Sequence, residues 1–141
     1  MSDIDILVDK TVEFAIDEAT QKLNSEQKFQ PFSFLINSDG GFTSVIPAVY
    51  DYYFDESVMV DSFKSFGNEK LMGTAEGFCI CYTSSVSLKG GEVEAIVVFC
   101  KFKNDHLPLK TRIYYFPFTT SHGSVFIDFE ASNYQDRKSV V

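Results

Sequence analysis

The chain has 141 residues, which is the length of one ordinary domain built around one hydrophobic core. Its 45% hydrophobic and 23% charged residues are typical of a globular protein and exclude wholesale disorder and low-complexity sequence. Twenty acidic against twelve basic residues give a formal net charge of −8 at pH 7, which disfavours nucleic acid as a partner and favours a basic protein.

Further features of the sequence favour a cytoplasmic protein. The N-terminal segment MSDIDILVDK is acidic where a signal peptide is basic, and no apolar run approaches the roughly 18 residues that cross a bilayer. Three cysteines, two of them at i and i+2, do not form the framework of a secreted disulfide-rich protein. We therefore predict a cytoplasmic location and no membrane partner.

The N-terminal segment is predicted to form an amphipathic helix. Over residues 3–23 the apolar side chains recur every three or four positions, which places them along one side of a helix. This stripe consists of Ile4, Val8, Val12, Ala15, Ile16, Ala19 and Leu23.

A β-hairpin is predicted next. The β-forming runs PFSFLI and FTSVI flank the turn sequence NSDGG, in which a two-residue Asp39-Gly40 turn tolerates positive φ at both positions. This turn sets Phe34 opposite Val45 and Ile36 opposite Thr43.

A second helix is predicted to begin near Asp55, whose carboxylate can accept hydrogen bonds from the free amides of the first turn. Met59, Phe63 and Phe66 then fall on one side of the helix. Gly67 is a natural place for the helix to end.

The C-terminal half changes to the pattern of β-strands. The predicted strands are GFCICYTSSVSL, EVEAIVVFCKFK, LKTRIYYFPF and SVFIDFE. The element order of helix, hairpin, helix and meander predicts a single α+β domain over residues 1–141. Its antiparallel sheet has five or six strands, and both helices pack on one face. About eight residues at the C-terminus are predicted to be disordered.

The loop between the first two meander strands decides which residues face each other. If Gly90 and Gly91 form this loop, Cys81 lies opposite Cys100, whereas a three-residue loop sets Ile80 against Cys100. The first register gives a helix-facing side of Cys79, Cys81, Val98, Cys100 and Phe102, joined by Leu109 and Ile113 if the next loop contains about five residues.

The opposite side of the meander is then predicted to be an aromatic and basic surface. A contiguous exposed apolar patch of this kind indicates a partner. A second copy of the chain is the simplest partner, because the patches of two copies related by a twofold axis cover each other. The alternative is that SVFIDFE or the first hairpin covers part of the patch. The predicted surface contains Phe78, Ile80, Tyr82, Val97, Phe99, Lys101, Lys103, Lys110, Arg112 and Tyr114.

Catalytic and cofactor motifs are weak in this sequence. In TTSHGS the hydroxyl of Ser121 and the imidazole of His122 are adjacent and project in divergent directions, so the segment is interpreted as a turn rather than a nucleophile with its base. The G-x-S-x-G, G-x-G-x-x-G and P-loop patterns are absent. We predict no cofactor.

The three cysteines admit three interpretations. Cys79, Cys81 and Cys100 are interpreted as small buried hydrophobic residues. A reactive pair across two strands is one alternative. A zinc site with a distant histidine is the other, but both Cys79 and Cys81 lie within one apolar strand rather than in a turn-borne C-x-x-C pair. We predict no metal site.

The segment YDYYFDE, residues 50–56, combines carboxylates with aromatic rings. Acid–base chemistry or calcium binding is one interpretation, and an acidic approach to the second helix is the simpler one. Tyrosines are nevertheless common in protein contact sites, because a ring brings contact area and a hydroxyl brings a hydrogen bond.

These observations favour a non-enzymatic acidic domain that binds another protein, in an inhibitor, immunity-type or adaptor role, and that forms a homodimer through its aromatic face. The alternative is a small-molecule-binding protein or small enzyme with a pocket near His122, Tyr52 and Tyr53. Nucleic-acid binding at the outer face is opposed by the net charge. The predicted partner-binding residues are Tyr82, Phe99, Lys101, Arg112, Tyr114, Tyr52 and Asp51.

Overall fold

Two helices and an antiparallel sheet make up the described part of the chain, in a computed structural model. The structure describes residues 3–26, 29–45, 56–88, 90–103, 110–121, 124–128 and 133–138. The predicted α+β class is therefore confirmed. In chain order the elements are α1 Asp3–Glu26, β1 Phe32–Ile36, β2 Phe42–Val45, α2 Glu56–Leu71, β3 Gly77–Leu88, β4 Gly91–Phe102, β5 Lys110–Ser121, β6 Ser124–Ile127 and β7 Asn133–Lys138.

The sheet has the strand order β2-β1-β3-β4-β5-β6, and β7 also pairs with β5. All pairings are antiparallel. Both β6 and β7 lie along the far side of β5, where β6 pairs with residues 118–121 and β7 with residues 110–115. The strand β7 was not among the predicted elements.

Helix α1 packs on one face of the sheet through five residues of the predicted apolar stripe. Among the described helices, none is long and apolar enough to span a membrane. Thr11 lies inside the buried contact and its hydroxyl donates to the Leu7 carbonyl oxygen at 2.7 Å, so the helix satisfies this polar group itself. The buried core on this face contains Val8, Ala15, Ile16, Ala19 and Leu23 from α1, and Phe34, Ile36, Cys79, Cys81, Ile96, Val98, Cys100 and Phe102 from the sheet.

Helix α2 packs on the opposite face, so the prediction that both helices share one face is wrong. Successive residues of a strand point to opposite faces, and Phe78 and Ile80 of β3 pack under α2 while Cys79 and Cys81 pack under α1. The physical reason is in the sequence GFCICY, because a continuous apolar run is typical of a strand buried on both faces.

Helix α2 continues through Gly67 to Leu71, so the predicted end at Gly67 is wrong. Gly67 is buried against the sheet, and a Cβ at this position would lie 2.4 Å from Cγ of Phe78. The glycine therefore allows close contact between helix and sheet. Phe66, predicted to lie on the buried side, is 37% exposed.

The β1–β2 turn contains three residues rather than the predicted two. The Asn37 amide donates to the Gly41 carbonyl oxygen at 2.8 Å, the Gly40 amide donates to the Asn37 carbonyl oxygen at 2.9 Å, and Gly40 has a φ of 86°. Phe34 therefore pairs with Ser44 and Ile36 with Phe42, one residue away from the predicted register.

The β3–β4 hairpin also differs from both predicted registers. Leu88 pairs with Gly91, and Cys79 rather than Cys81 or Ile80 lies opposite Cys100. This register is shifted by two residues from the first prediction, and a two-residue shift preserves the faces. The predicted grouping of Cys79, Cys81, Val98, Cys100 and Phe102 on one side is therefore confirmed.

Candidate functional site

The predicted aromatic and basic surface is divided between the two faces of the sheet. Strand β5 pairs Cys100 with Arg112 and Phe99 with Ile113. Arg112 and Tyr114 consequently lie on the α1 side, and Ile113 lies on the α2 side, which reverses the prediction for β5. A one-residue change in register exchanges the faces of a strand, and the loop that sets this register could not be read from the sequence.

Of the other predicted partner-binding residues, Tyr82, Phe99 and Lys101 lie on the α2 side. Lys64 of α2 places its Nζ atom 4.8 Å from the centre of the Phe99 ring. The Lys101 ammonium donates to Oδ1 of Asn68 at 2.8 Å, and burial lowers its pKa. Burial, reinforced by Tyr115, raises the pKa of Tyr82. Phe99 and Lys101 therefore fasten α2 to the sheet rather than forming an open surface.

Other predicted site residues lie outside the described part of the chain. These include the partner-binding candidates Asp51 and Tyr52. The pocket of the alternative function, near His122, Tyr52 and Tyr53, is also outside it.

The thiols form part of the core beneath α1. Cys79 and Cys100 lie directly opposite each other with their Sγ atoms 3.7 Å apart, and both are free and buried. Burial raises the pKa of the Cys79 thiol well above its ordinary value, and the hydrogen bond with Cys100 raises it further. Burial also raises the pKa of the Cys81 thiol well above its ordinary value. Because the thiolate is the reactive and metal-binding form, such thiols are inert. Within the described residues, no group of three or more His, Cys, Asp and Glu side chains could hold a metal ion.

Helix α1 leaves a groove beside it because one helix is narrower than the sheet. A helix is about 10–12 Å across and strands are about 4.8 Å apart, so one helix covers roughly two strands. One side of α1 faces β1 and β2, where Phe14 lies 4.9 Å from the Phe34 ring and 4.6 Å from the Phe42 ring. The other side contacts β6 and leaves two clefts between α1 and the strands β5 and β6.

This space, here called the α1 groove, consists of two clefts that share Ile16 and Asp17. Their volumes are about 290 Å³ and about 400 Å³. The Tyr114 and Phe116 rings on its floor are stacked, with centres 6.1 Å apart. At the C-terminal part of α1, Asn24 Oδ1 accepts a hydrogen bond from the Val125 amide at 3.2 Å, which holds β6 to the helix. The groove is lined by Val12, Ile16, Thr20 and Gln21 of α1, by Tyr114, Phe116, Val125 and Ile127 of the sheet, and by Asp9, Glu13 and Asp17 on its rim.

The rim of the α1 groove is acidic. Asp9, Glu13 and Asp17 are exposed and follow one another at intervals of four residues, which is about 6 Å along a helix. The lysines of α1 are elsewhere: Lys10 lines a depression at the β1–β2 turn, and Lys22 lies 5.4 Å from the Phe32 ring centre. The groove therefore combines an apolar floor with a one-sided row of negative charge.

Of the groove residues, Tyr114 was predicted from the sequence as a partner-binding residue, and the others were not. The regular spacing of Asp9, Glu13 and Asp17 was a usable signal, because it puts three carboxylates on one side of the predicted helix. Their proximity to β5 and β6 depends on the order and register of the strands, which the spacing does not contain.

Comparison with protein-family models, with curated proteins and with solved structures finds no match for this chain. Function is therefore inferred from the geometry and charge of the α1 groove.

Proposed function

We propose that this chain is an acidic interaction domain that binds a basic segment of another protein in the α1 groove. The observation that supports the proposal is the apolar floor, with Tyr114 and Phe116 stacked along β5, beside the carboxylates of Asp9, Glu13 and Asp17. An apolar floor supplies contact area, and a row of like charges selects an oppositely charged partner and sets its position.

The net charge favours the same kind of partner. A charge of −8 steers basic proteins toward the chain and repels nucleic acid. It also opposes a homodimer through this groove, because a second copy brings a second acidic row. The aromatic face through which the homodimer was predicted is divided between the sheet faces, and α2 covers Phe99. Binding of a basic segment is compatible with the inhibitor, immunity-type and adaptor roles expected from the sequence.

A binding titration with synthetic peptides tests the proposal. The probe is a peptide of about 16 residues with a lysine at every fourth position and leucines along the neighbouring stripe, and its control has glutamate in place of lysine. We expect the lysine peptide to bind and the glutamate peptide not to bind, as measured by calorimetry at low ionic strength.

Two double variants locate the binding site. Glu13→Gln with Asp17→Asn removes two charges from the groove, whereas Asp61→Asn with Glu69→Gln removes the same two residue types from exposed positions of α2. We expect the groove variant to raise Kd about fivefold to thirtyfold, since two partly exposed ion pairs contribute about 1–2 kcal/mol, and the α2 variant to raise it less than about twofold. Equal effects of the two variants would show that only the mean charge matters and would contradict the proposal.

A further inference from the structure

Strand β3 has an edge that its neighbour β1 covers only in part. The strand runs from Gly77 to Leu88, but β1 pairs with it only as far as Cys81. We infer that the uncovered part, residues 83–87 and here called the open β3 edge, pairs with the same edge of a second copy of the chain. The two sheets then form one continuous sheet. This edge shares no residue with the α1 groove, so the inference does not rest on the proposed function.

The backbone of the open β3 edge has hydrogen-bonding groups that point away from β4. The Lys103 amide donates to the Glu76 carbonyl oxygen at 2.7 Å, which makes these two residues a hydrogen-bonded pair at the start of the β3–β4 ladder. Such pairs alternate with non-hydrogen-bonded pairs in an antiparallel ladder, so the odd-numbered residues of β3 direct their amides and carbonyls to the other side. As far as Cys81 that side is filled by β1. Beside Ser85 and Ser87 it holds no strand of the described residues.

The open β3 edge lacks the features that usually prevent a strand from pairing with another chain. Native edges commonly carry a charged residue, a proline or a bulge. Strand β3 contains no charged residue and no proline, and its register with β4 is continuous. On the other strand of this hairpin, Glu92 and Glu94 are exposed. The β4 edge of the hairpin is therefore protected by charge, and the β3 edge is not.

A twofold axis at Val86 brings two open β3 edges into register. Ser85 then pairs with Ser87 of the second copy, and each such pair exchanges two hydrogen bonds through backbone groups that point outward in the single chain. The two Val86 side chains meet at the axis in a non-hydrogen-bonded pair, where side chains lie closest and β-branched residues pack well. Because this axis is near the tip of the hairpin, the end of β1 at Cys81 stays outside the pairing.

The charge distribution favours a second copy over a basic segment at this edge, because β3 itself offers no carboxylate. Across the new pairing, Glu94 lies about three strand spacings, or about 14 Å, from Glu92 of the second copy. This separation exceeds the Debye length of about 8 Å at physiological ionic strength, so the repulsion is largely screened. The contact is small, and we expect a dimer with a Kd on the order of 100 μM. Since each copy has a net charge of −8, the dimer should tighten as salt rises, whereas binding of a basic segment should weaken.

Sedimentation equilibrium and amide hydrogen exchange on the full chain test the inference. Between about 20 μM and about 1 mM protein, we expect the average mass to rise from that of one chain toward that of two. Over the same range the amides of Ser85 and Ser87 should change from fast to slow exchange in NMR spectra, because they become hydrogen-bonded only in the dimer. The Ser84 amide, which bonds to β4 in the single chain, is the internal control.

Two lysine substitutions on the hairpin locate the contact. Val86 and Val93 lie opposite each other and are both half-buried, so Val86→Lys and Val93→Lys disturb the same cross-strand pair and change the net charge equally. Val86→Lys also places two like charges directly opposite each other at the twofold axis. We expect Val86→Lys to raise the dimer Kd at least about tenfold and Val93→Lys to raise it less than about threefold.

Three results would overturn the inference. These are a chain that remains monomeric at about 1 mM in about 0.5 M salt, a dimer in which the Ser85 and Ser87 amides still exchange fast, and equal effects of Val86→Lys and Val93→Lys. Each of these results leaves the proposed function intact, because the peptide titration at the α1 groove is measured at protein concentrations far below the dimer Kd.

Discussion

Gly67 shows what a single residue contributes to the contact between α2 and the sheet. A Cβ at this position would lie 2.4 Å from Cγ of Phe78, a fully buried ring. Alanine improves helix propensity by about 1 kcal/mol, but overpacking a rigid contact costs about 1–3 kcal/mol, and here the overlap is severe. We expect Gly67→Ala to lower the free energy of unfolding by about 1–2 kcal/mol in urea denaturation followed by circular dichroism.

Gly73 provides the control for this substitution. A Cβ at Gly73 would meet the Lys70 carbonyl oxygen at 3.5 Å, an ordinary contact. Gly73→Ala should therefore change the free energy of unfolding by less than about 1 kcal/mol. A Gly67→Ala variant as stable as the wild type would contradict the close contact between α2 and β3.

The buried thiols make stability depend on alkaline pH. Burial raises the pKa of Cys79 and Cys81 in the folded state, so both keep their protons at a pH where the unfolded chain loses them. Their stabilising contribution is complete below the ordinary thiol pKa of about 8.5 and is lost as the pH rises from there toward the folded-state pKa. We expect each thiol to lower the free energy of unfolding by about 1.4 kcal/mol per pH unit above about pH 9.

A comparison with the Cys79→Ala, Cys81→Ala double variant isolates this effect. The variant is less stable at neutral pH because it leaves a cavity. Between about pH 9 and pH 10.5, however, its free energy of unfolding should fall less steeply than that of the wild type, as measured by urea denaturation across the series. Parallel curves would contradict the burial of these thiols.

At the scale of elements, Phe14 holds α1 against the first hairpin. Its ring packs edge-on against Phe34 at 4.9 Å and is stacked on Phe42 at 4.6 Å. We expect Phe14→Ala to cost about 2–3 kcal/mol, somewhat below the loss for a fully buried phenylalanine. Phe66→Ala, which removes a ring from the exposed side of α2, should cost less than about 1 kcal/mol. If both substitutions lowered the free energy of unfolding equally in thermal or urea unfolding, the packing of Phe14 against Phe34 and Phe42 would be contradicted.

The elements that were predicted correctly have a signal contained within a short segment. Helix α1 and the strands β3 to β5 were recognised because apolar spacing and β-forming residues are local properties. The helix-facing side of β3 and β4 was also recognised, because an error of two residues in the register leaves Cys79 and Cys100 on the same face.

What the sequence could not predict depends on segments that carry no such pattern. The faces of β5 were exchanged because its register follows from the loop after β4, and one residue more or less reverses the direction of Arg112 and Tyr114. The placement of α2 opposite α1 could have been inferred from the two-sided apolar run around Ile80. The groove could not be predicted for the same reason. Placing its floor requires the register of β5, and placing its rim beside that floor requires the position of α1 on the sheet.

Across the whole molecule, several described lysines and the groove carboxylates lie on opposite faces. Lys64 and Lys101 hold α2 to the sheet, and the Lys103 ammonium donates to the Gly73 carbonyl oxygen at 3.0 Å. These cations act on the α2 side, whereas Asp9 and Asp17 border the α1 groove. These three lysines therefore do not neutralise the carboxylates at the groove.

The central claim is that the α1 groove is where a basic segment binds, and a pair of substitutions at Gln21 tests it most directly. Gln21 is exposed and lines the groove beside Val125 and Ile127. Gln21→Glu and Gln21→Lys introduce opposite charges at one position with two good helix formers, so folding is little affected.

The measurement is the ratio of Kd values of these two variants for the lysine peptide. We expect the Gln21→Lys variant to bind about tenfold more weakly than the Gln21→Glu variant, a difference of about 1.4 kcal/mol, and the ratio to shrink toward one at about 0.5 M salt. A ratio of one at low salt, with binding to both variants retained, would show that the basic segment binds elsewhere and would contradict the account.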